Sequence, residues 1–139
     1  PNDVLVNGGK VAGILLEWIG GRLAIGIGVN LRTAPPPDPE ASAPPASLMA
    51  ETGATVTPEE LLDRLAATFA RWEARFLHEG FAPIREAWLA RAARVGQTIT
   101  ARSVRATHEG VFETVDDTGA IVLKTPRGRV ALPAAEVYF

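Results

Sequence analysis

Two glycine-rich turns near the start of the chain constrain its fold more than anything else in the sequence. Asn7-Gly8-Gly9 separates a short run, Val4 to Val6, from a longer one, Lys10 to Trp18. Gly20-Gly21 separates that run from a third, Arg22 to Leu31. Asn and Gly tolerate the positive φ that tight hairpin turns demand. Three runs rich in β-formers, joined this way, spell an antiparallel meander. The third run is lopsided. Leu23, Ile25, Ile27 and Val29 alternate with Ala24, Gly26 and Gly28, so one face is bulky and the other nearly bare. Glycine weakens a strand, and two at alternate positions indicate that something packs on the backbone there, either a helix or a ligand.

The rest of the chain has a different texture. Residues 32–46 include Pro35-Pro36-Pro37, Pro39 and Pro44-Pro45, which rules out regular helix or sheet and predicts an extended, mobile surface loop. Ser47 to Glu51 reads as a short helical turn. Thr57, Pro58 and Glu60 form a capping box that starts a long helix. Leu61, Leu65, Phe69, Trp72 and Phe76 then recur at helical spacing, and Gly80 ends the pattern. A second helix follows Pro83 and closes at Gly96. Beyond it, Gln97–Arg102, Gly110–Val115, Ala120–Lys124 and Gly128–Leu132 are short β-runs separated by turn signals, which predicts a small SH3-like barrel. The expected architecture is α+β, with one domain over 1–95 and a β-barrel domain over 96–139.

Composition narrows the function classes. The chain has 139 residues, with 14 Lys+Arg against 16 Asp+Glu for a net charge of -2. That balance gives no nucleic-acid surface in this part. No cysteine is present, which excludes disulfides, thiol nucleophiles and Cys-based metal sites. No apolar stretch approaches the roughly 20 residues of a membrane span, and no basic-then-apolar leader is visible, so a cytoplasmic protein is expected by default. Pro1-Asn2-Asp3 runs straight into a strand without a Met, as if the chain began in the middle of something.

Three pieces occur in order: Pro1-Asn2-Asp3, Lys10-Val11-Ala12-Gly13-Ile14-Leu15 and Gly26-Ile27-Gly28-Val29-Asn30. Together they resemble the signature of biotin protein ligase, and the resemblance continues through the helices into the C-terminal β-domain. It implies a class II synthetase-like biotin/lipoate ligase fold: part of a mixed or antiparallel sheet with packed helices, then the SH3-like barrel. It also implies an ATP-dependent enzyme, here in part, that activates biotin to biotinyl-5′-AMP and transfers it to a lysine of a biotin carboxyl carrier domain. Mg²⁺ is the implied metal, and a homodimer is an implied assembly.

Each site residue has a functional and a bland reading. By resemblance Lys10 is catalytic, reaching the biotin carboxylate and the attacked phosphate; otherwise it is a solvated lysine at a strand edge. Asp3 by resemblance orients groups near the phosphates or holds Mg²⁺; otherwise Asn2-Asp3 punctuates a turn. Asn2 and Asn30 are implied nucleotide contacts, whereas Asn30 could simply cap a strand end. Gly13, Gly26 and Gly28 with Leu15 would floor the biotin pocket; the alternative is close helix-on-sheet packing. Glu136 is an implied neighbour of the nucleotide. His78 and His108 carry no assigned role.

The family's glycine/arginine-rich loop would precede the Pro-Asn-Asp motif, so these 139 residues alone are expected to be catalytically feeble. Two rivals remain at this stage. One is a lipoate–protein ligase-like enzyme, which the Pro-Asn-Asp and Gly-x-Gly-x-Asn segments fit less well. The other is a non-catalytic protein-binding module derived from the same fold.

Overall fold

A computed structural model describes residues 2–39, 41–103, 106–133 and the backbone of 136–138. The chain divides into two compact units, Pro1–Arg64 and Leu65–Phe139.

The first unit is built on β1 (Asp3–Val6), β2 (Gly9–Ile19) and β3 (Arg22–Val29), paired antiparallel in that order. The two turns are what the sequence predicts. Asn7 and Gly8 have φ of 51° and 86°, and Gly20 and Gly21 have 56° and 79°. Consecutive left-handed residues match the right-handed twist of the strands they join. Pairing Ile14 with Ile27, Leu16 with Ile25 and Trp18 with Leu23 gathers six large side chains on one face. The other face carries Gly13, Gly26 and Gly28.

The register of β1 on β2 breaks once. Val4 pairs with Ala12, but the next residue, Leu5, pairs with Lys10. Val11 is therefore the extra residue of a β-bulge. Its side chain is buried, and the alternation of β2 shifts by one position across it.

The proline-rich segment was expected to be loose, and its distal end is not. Lys10 N–H donates to Pro44 O at 2.8 Å and Ala46 N–H donates to Lys10 O at 2.9 Å. This isolated parallel bridge extends β2 beyond the reach of β3. The buried Ser47 donates its hydroxyl to Arg32 O and accepts from Ala50 N–H, capping α1 (Leu48–Thr52). Backbone groups that proline cannot pair are compensated by their neighbours, which fixes the segment.

Helix α2 (Pro58–Glu79) starts with the expected capping box: Thr57 N–H donates to Glu60 Oε2 at 2.9 Å and Glu60 N–H to Thr57 Oγ1 at 3.2 Å. The helix crosses the division between the units, and none of its residues is buried within this chain. Helix α3 (Ala82–Leu89) ends seven residues before Gly96. There the chain tightens: Arg91 N–H donates to Trp88 O and Ala92 N–H to Leu89 O, and Arg94 is left-handed at φ 67°.

The second unit's sheet contains β4 (Thr98–Arg102), β5 (Thr107–Val115), β6 (Ile121–Thr125), β7 (Gly128–Leu132) and β8 (Glu136–Tyr138). Its order is β7-β6-β5-β4-β8, all antiparallel. These five strands form one antiparallel sheet, the small SH3-like β-fold expected, with no ladder between β7 and β8 among the described residues. Ile99, Ala101, Phe112, Val115, Ile121, Leu123 and Leu132 form its core. Trp88, Leu89 and Ala92 pack against that core, Trp88 meeting Phe112 edge to face. Arg85 of α3 donates to Val115 O, which ties helix to sheet.

Candidate functional site

Strict alternation along β2 would put Lys10 and Gly13 on opposite faces, because they are three residues apart. The bulge at Val11 reverses this. Asp3 pairs with Gly13 and Leu5 with Lys10, and Asp3 and Leu5 share a face of β1. Lys10, Asp3 and Gly13 therefore lie together. The distances agree: Lys10 Nζ is 2.7 Å from Asp3 Oδ1. Its Cε and Nζ would stand 3.6 and 3.8 Å from a Cβ added at Gly13. Gly28 pairs with Gly13, and Gly26 pairs with Leu15, two residues along the same face. The amine is thus mounted on the bare face of the sheet.

A cavity of about 320 Å³ opens here. Lys10, Gly13, Gly28 and Asn30 line it on the sheet side, and Pro36 and Pro45 on the side of the proline-rich segment. A Cβ added at Gly28 would meet nothing within 4 Å. Among the described residues of this unit, nothing packs on that backbone position. Leu15 and Gly26 sit one residue pair farther along the face, and neither lines the cavity. Leu15 is exposed.

Asn2 and Asn30 occupy different situations. Asn2 is exposed, does not line the cavity, and its carbonyl accepts from Ile14 N–H at 2.8 Å. Asn30 is half-buried beside the cavity, and its Nδ2 donates to Ala46 O at 3.0 Å and Lys10 O at 3.4 Å. The side chain of Glu136 and the whole of Pro1 lie outside the described residues.

Two contributors escaped the sequence reading. One is the bulge. The other is Gly9, where an added Cβ would come within 2.5 Å of Ala46 Cβ. Asn7-Gly8 already completes the turn, so a second glycine at position 9 was the available signal of a close approach.

The set can do limited, specific chemistry. An ammonium has three donors, so the contact with Asp3 leaves capacity for an incoming anion. A concave site with a bare backbone floor, prolines opposite and one orientable cation suits a small apolar molecule with an acidic end. Magnesium fits less well. Hard cations want several oxygen ligands, and among the described residues no three acidic or histidine side chains come together. Asp3 is moreover engaged by Lys10. These side chains do not by themselves form the expected Mg²⁺ site.

Residues 95–139 match the family described as biotin protein ligase C terminal domain. Over 147 aligned residues the chain is 56% identical to a biotin–[acetyl-CoA-carboxylase] ligase of Paracoccus denitrificans, covering 100% of this chain and 61% of that protein. A bifunctional ligase/repressor of Bacillus subtilis is 29% identical over 99% of this chain and 44% of its own length. The chain thus spans less than two thirds of the length of these relatives. In structure, apo biotin protein ligase from Aquifex aeolicus superposes with a TM-score of 0.87 at 20% identity, over 99% of this chain and 62% of that one. The same enzyme in complex with biotin and ATP gives 0.86 at 21% identity, over 58% of its chain. At that identity the superposition shows the fold. No helix among the described residues is long and apolar enough to cross a membrane.

Proposed function

We infer that this chain, similar to biotin protein ligases from end to end, supplies the part of such an enzyme in which biotin's carboxylate meets ATP. Residues 1–95 are then the end of the catalytic domain and 96–139 the small β-domain. The relative named as a biotin–[acetyl-CoA-carboxylase] ligase weighs against the lipoate alternative. The observation that carries the reading is the position of Lys10: the bulge at Val11 sets its amine over the same face as Gly13 and Gly28.

In the first step a carboxylate oxygen of biotin attacks the α-phosphorus of ATP. The bond from that phosphorus to the bridging oxygen breaks, and pyrophosphate leaves. Lys10 stands where two anions must approach, and its ammonium offsets their repulsion and the charge that grows on the phosphoryl oxygens. In the second step a lysine amine of a biotin carboxyl carrier domain attacks the carbonyl carbon of biotinyl-5′-AMP, loses a proton, and AMP leaves. Gly13 and Gly28 let the biotin rings lie against backbone. Asp3 holds the ammonium over that floor.

The test is Lys10→Ala in an intact ligase, with adenylate formation followed by pyrophosphate release. A loss on the order of 10²–10³ is expected, and an unchanged rate contradicts the reading. This 139-residue segment alone should transfer biotin feebly, because groups that orient the intermediate contribute much of such rates. The exposed face of Leu16, Trp18, Leu23 and Ile25 suits association with a second copy. Light scattering that shows a clean monomer at high concentration would remove that part of the proposal.

A further inference from the structure

We propose that Asp38 reads the sugar of the nucleotide, its carboxylate accepting a hydrogen bond from a ribose hydroxyl of ATP. This deepens the reading given above and rests on it.

Two charged side chains line the cavity among the described residues, Lys10 from the sheet and Asp38 from the proline-rich segment. Everything else that this segment adds to the wall is apolar: Pro35, Pro36, Ala41, Ala43 and Pro45. Asp38 is held in place by its backbone. Ala41 N–H donates to Asp38 O at 3.1 Å, closing a turn in which Pro39 follows Asp38. Aspartate in the first position and proline in the second are residues that such a turn favours.

An acid in this cavity works against the ligands it must admit. Both reactants that approach Lys10 are anions, and a second carboxylate repels them. Asp38 is compatible with them only where it meets a part of the ligand that is neutral and donates a hydrogen bond. Along ATP the ribose follows the α-phosphate directly, and its two hydroxyls are neutral donors. Biotin's ureido N–H groups are donors too, but they lie at the far end of the molecule from the carboxylate that Lys10 receives. The proline and alanine side chains of the wall offer no acceptor. A carboxylate has about four lone-pair sites, so contacts within the protein leave it capacity for a ligand. An acidic side chain on a ribose hydroxyl is a general solution to sugar recognition at nucleotide sites.

The experiment uses an intact ligase carrying these residues. Adenylate formation is titrated with ATP and with 2′,3′-dideoxy-ATP in the wild type, Asp38→Ala and Lys10→Ala. The wild type should favour ATP over the dideoxy nucleotide by about tenfold in kcat/KM. The factor is modest because Asp38 is exposed and a hydrogen bond there competes with water. Asp38→Ala should lose about that factor with ATP and little with the dideoxy nucleotide, so the preference falls to within about twofold. KM for biotin should stay within about twofold. Asp38→Asn keeps a turn-forming residue and one acceptor. It should fall between, and it carries the test if alanine loosens the turn. An equal loss with both nucleotides, or a wild type without preference, overturns the proposal. A raised KM for biotin would set the carboxylate against the ureido group and overturn it too. So would a raised magnesium requirement with the sugar preference intact, because Asp38 would then hold a metal. If Lys10→Ala left the rate unchanged, the proposed function itself would fail. A normal dependence on Lys10, with Asp38→Ala changing nothing, would fail this inference alone.

Discussion

The two sheets of this chain use their apolar residues in opposite ways. The C-terminal sheet turns Ile99, Phe112, Ile121, Leu123 and Leu132 onto one core, and Leu123 is fully buried. The N-terminal meander buries little beyond Val11, Ala12 and the alanines of the returning segment. It leaves Leu16, Trp18, Leu23 and Ile25 exposed on one face and a bare strip of backbone on the other. A region whose apolar side chains meet in one core is stable for its own sake. A region that stays open on both faces holds surface for something else, and here the bare face holds the amine.

Leucines at matched chemistry should separate the two regions most clearly. Leu123→Ala removes a fully buried side chain and should cost about 2–5 kcal/mol of unfolding free energy in this segment. Leu23→Ala, at a side chain 50% exposed, should cost no more than about 0.5 kcal/mol there. Chemical denaturation of both variants reads the difference. Equal costs would mean that the meander is packed as tightly as the C-terminal sheet.

A pair of glycines sharpens the contrast from destabilisation to function. At Gly110 in β5 a Cβ would lie 2.8 Å from Lys124 O and 3.0 Å from Thr125 Cγ2. Gly110→Ala should therefore destabilise by about 1–3 kcal/mol through overpacking while leaving biotin affinity of the folded intact ligase untouched. Gly28→Val places its branched side chain in open space on a strand, where valine is at home. Melting should barely change, while calorimetric biotin affinity should drop on the order of tenfold or more, because the floor is filled. Retained affinity would move the biotin rings elsewhere.

Gly9→Ala tests the coupling within the open region. Its Cβ would fall 2.5 Å from Ala46 Cβ, so the 44–46 segment must retreat, at about 1 kcal/mol or more. Amide exchange at Lys10 and Ala46 should accelerate, and exchange throughout β4 to β7 should not. Acceleration in both sheets would deny that the regions are independent.

The smallest effect concerns acid. Thr118, chiefly through its side-chain hydroxyl, and then Ala120 N–H hold the Asp116 carboxyl below the ordinary aspartate range. A depressed carboxylate stabilises the fold at pH values above its unfolded pKa and loses that contribution as pH falls through the native value. The wild type should therefore exceed Asp116→Asn slightly at neutral pH, and the two should converge below about pH 4. A gap that widens in acid has the wrong sign for this account.

Much of this was legible in the residues, for local reasons. Asn7-Gly8 and Gly20-Gly21 take the left-handed pairs their chemistry allows, and Thr57 with Glu60 closes a reciprocal cap within one helical turn. Lys10, Gly13 and Gly28 were legible as a set through the family signature, although alternation alone would have set Lys10 against Gly13. What stayed hidden depends on distant partners. A bulge is a relation between two strands, and no single strand announces it. The ordering of the distal end of the proline-rich segment was not legible because the hydrogen bonds that hold it come from Lys10 and Asn30. Helix α3 stops early because Trp88, Leu89 and Ala92 turn onto a core assembled from strands later in the chain. Gly96 marks the start of β4's approach, not the helix end.

The most direct measurement labels the lysine amines of an intact ligase with ¹⁵N and adds a non-hydrolysable analogue of biotinyl-5′-AMP. The Lys10 ammonium resonance, identified by its absence in Lys10→Arg, should shift together with the backbone amides of Gly13 and Gly28. A saturating analogue that moves the Gly28 amide while the Lys10 ammonium stays in place would separate the cation from the glycine floor and contradict the account.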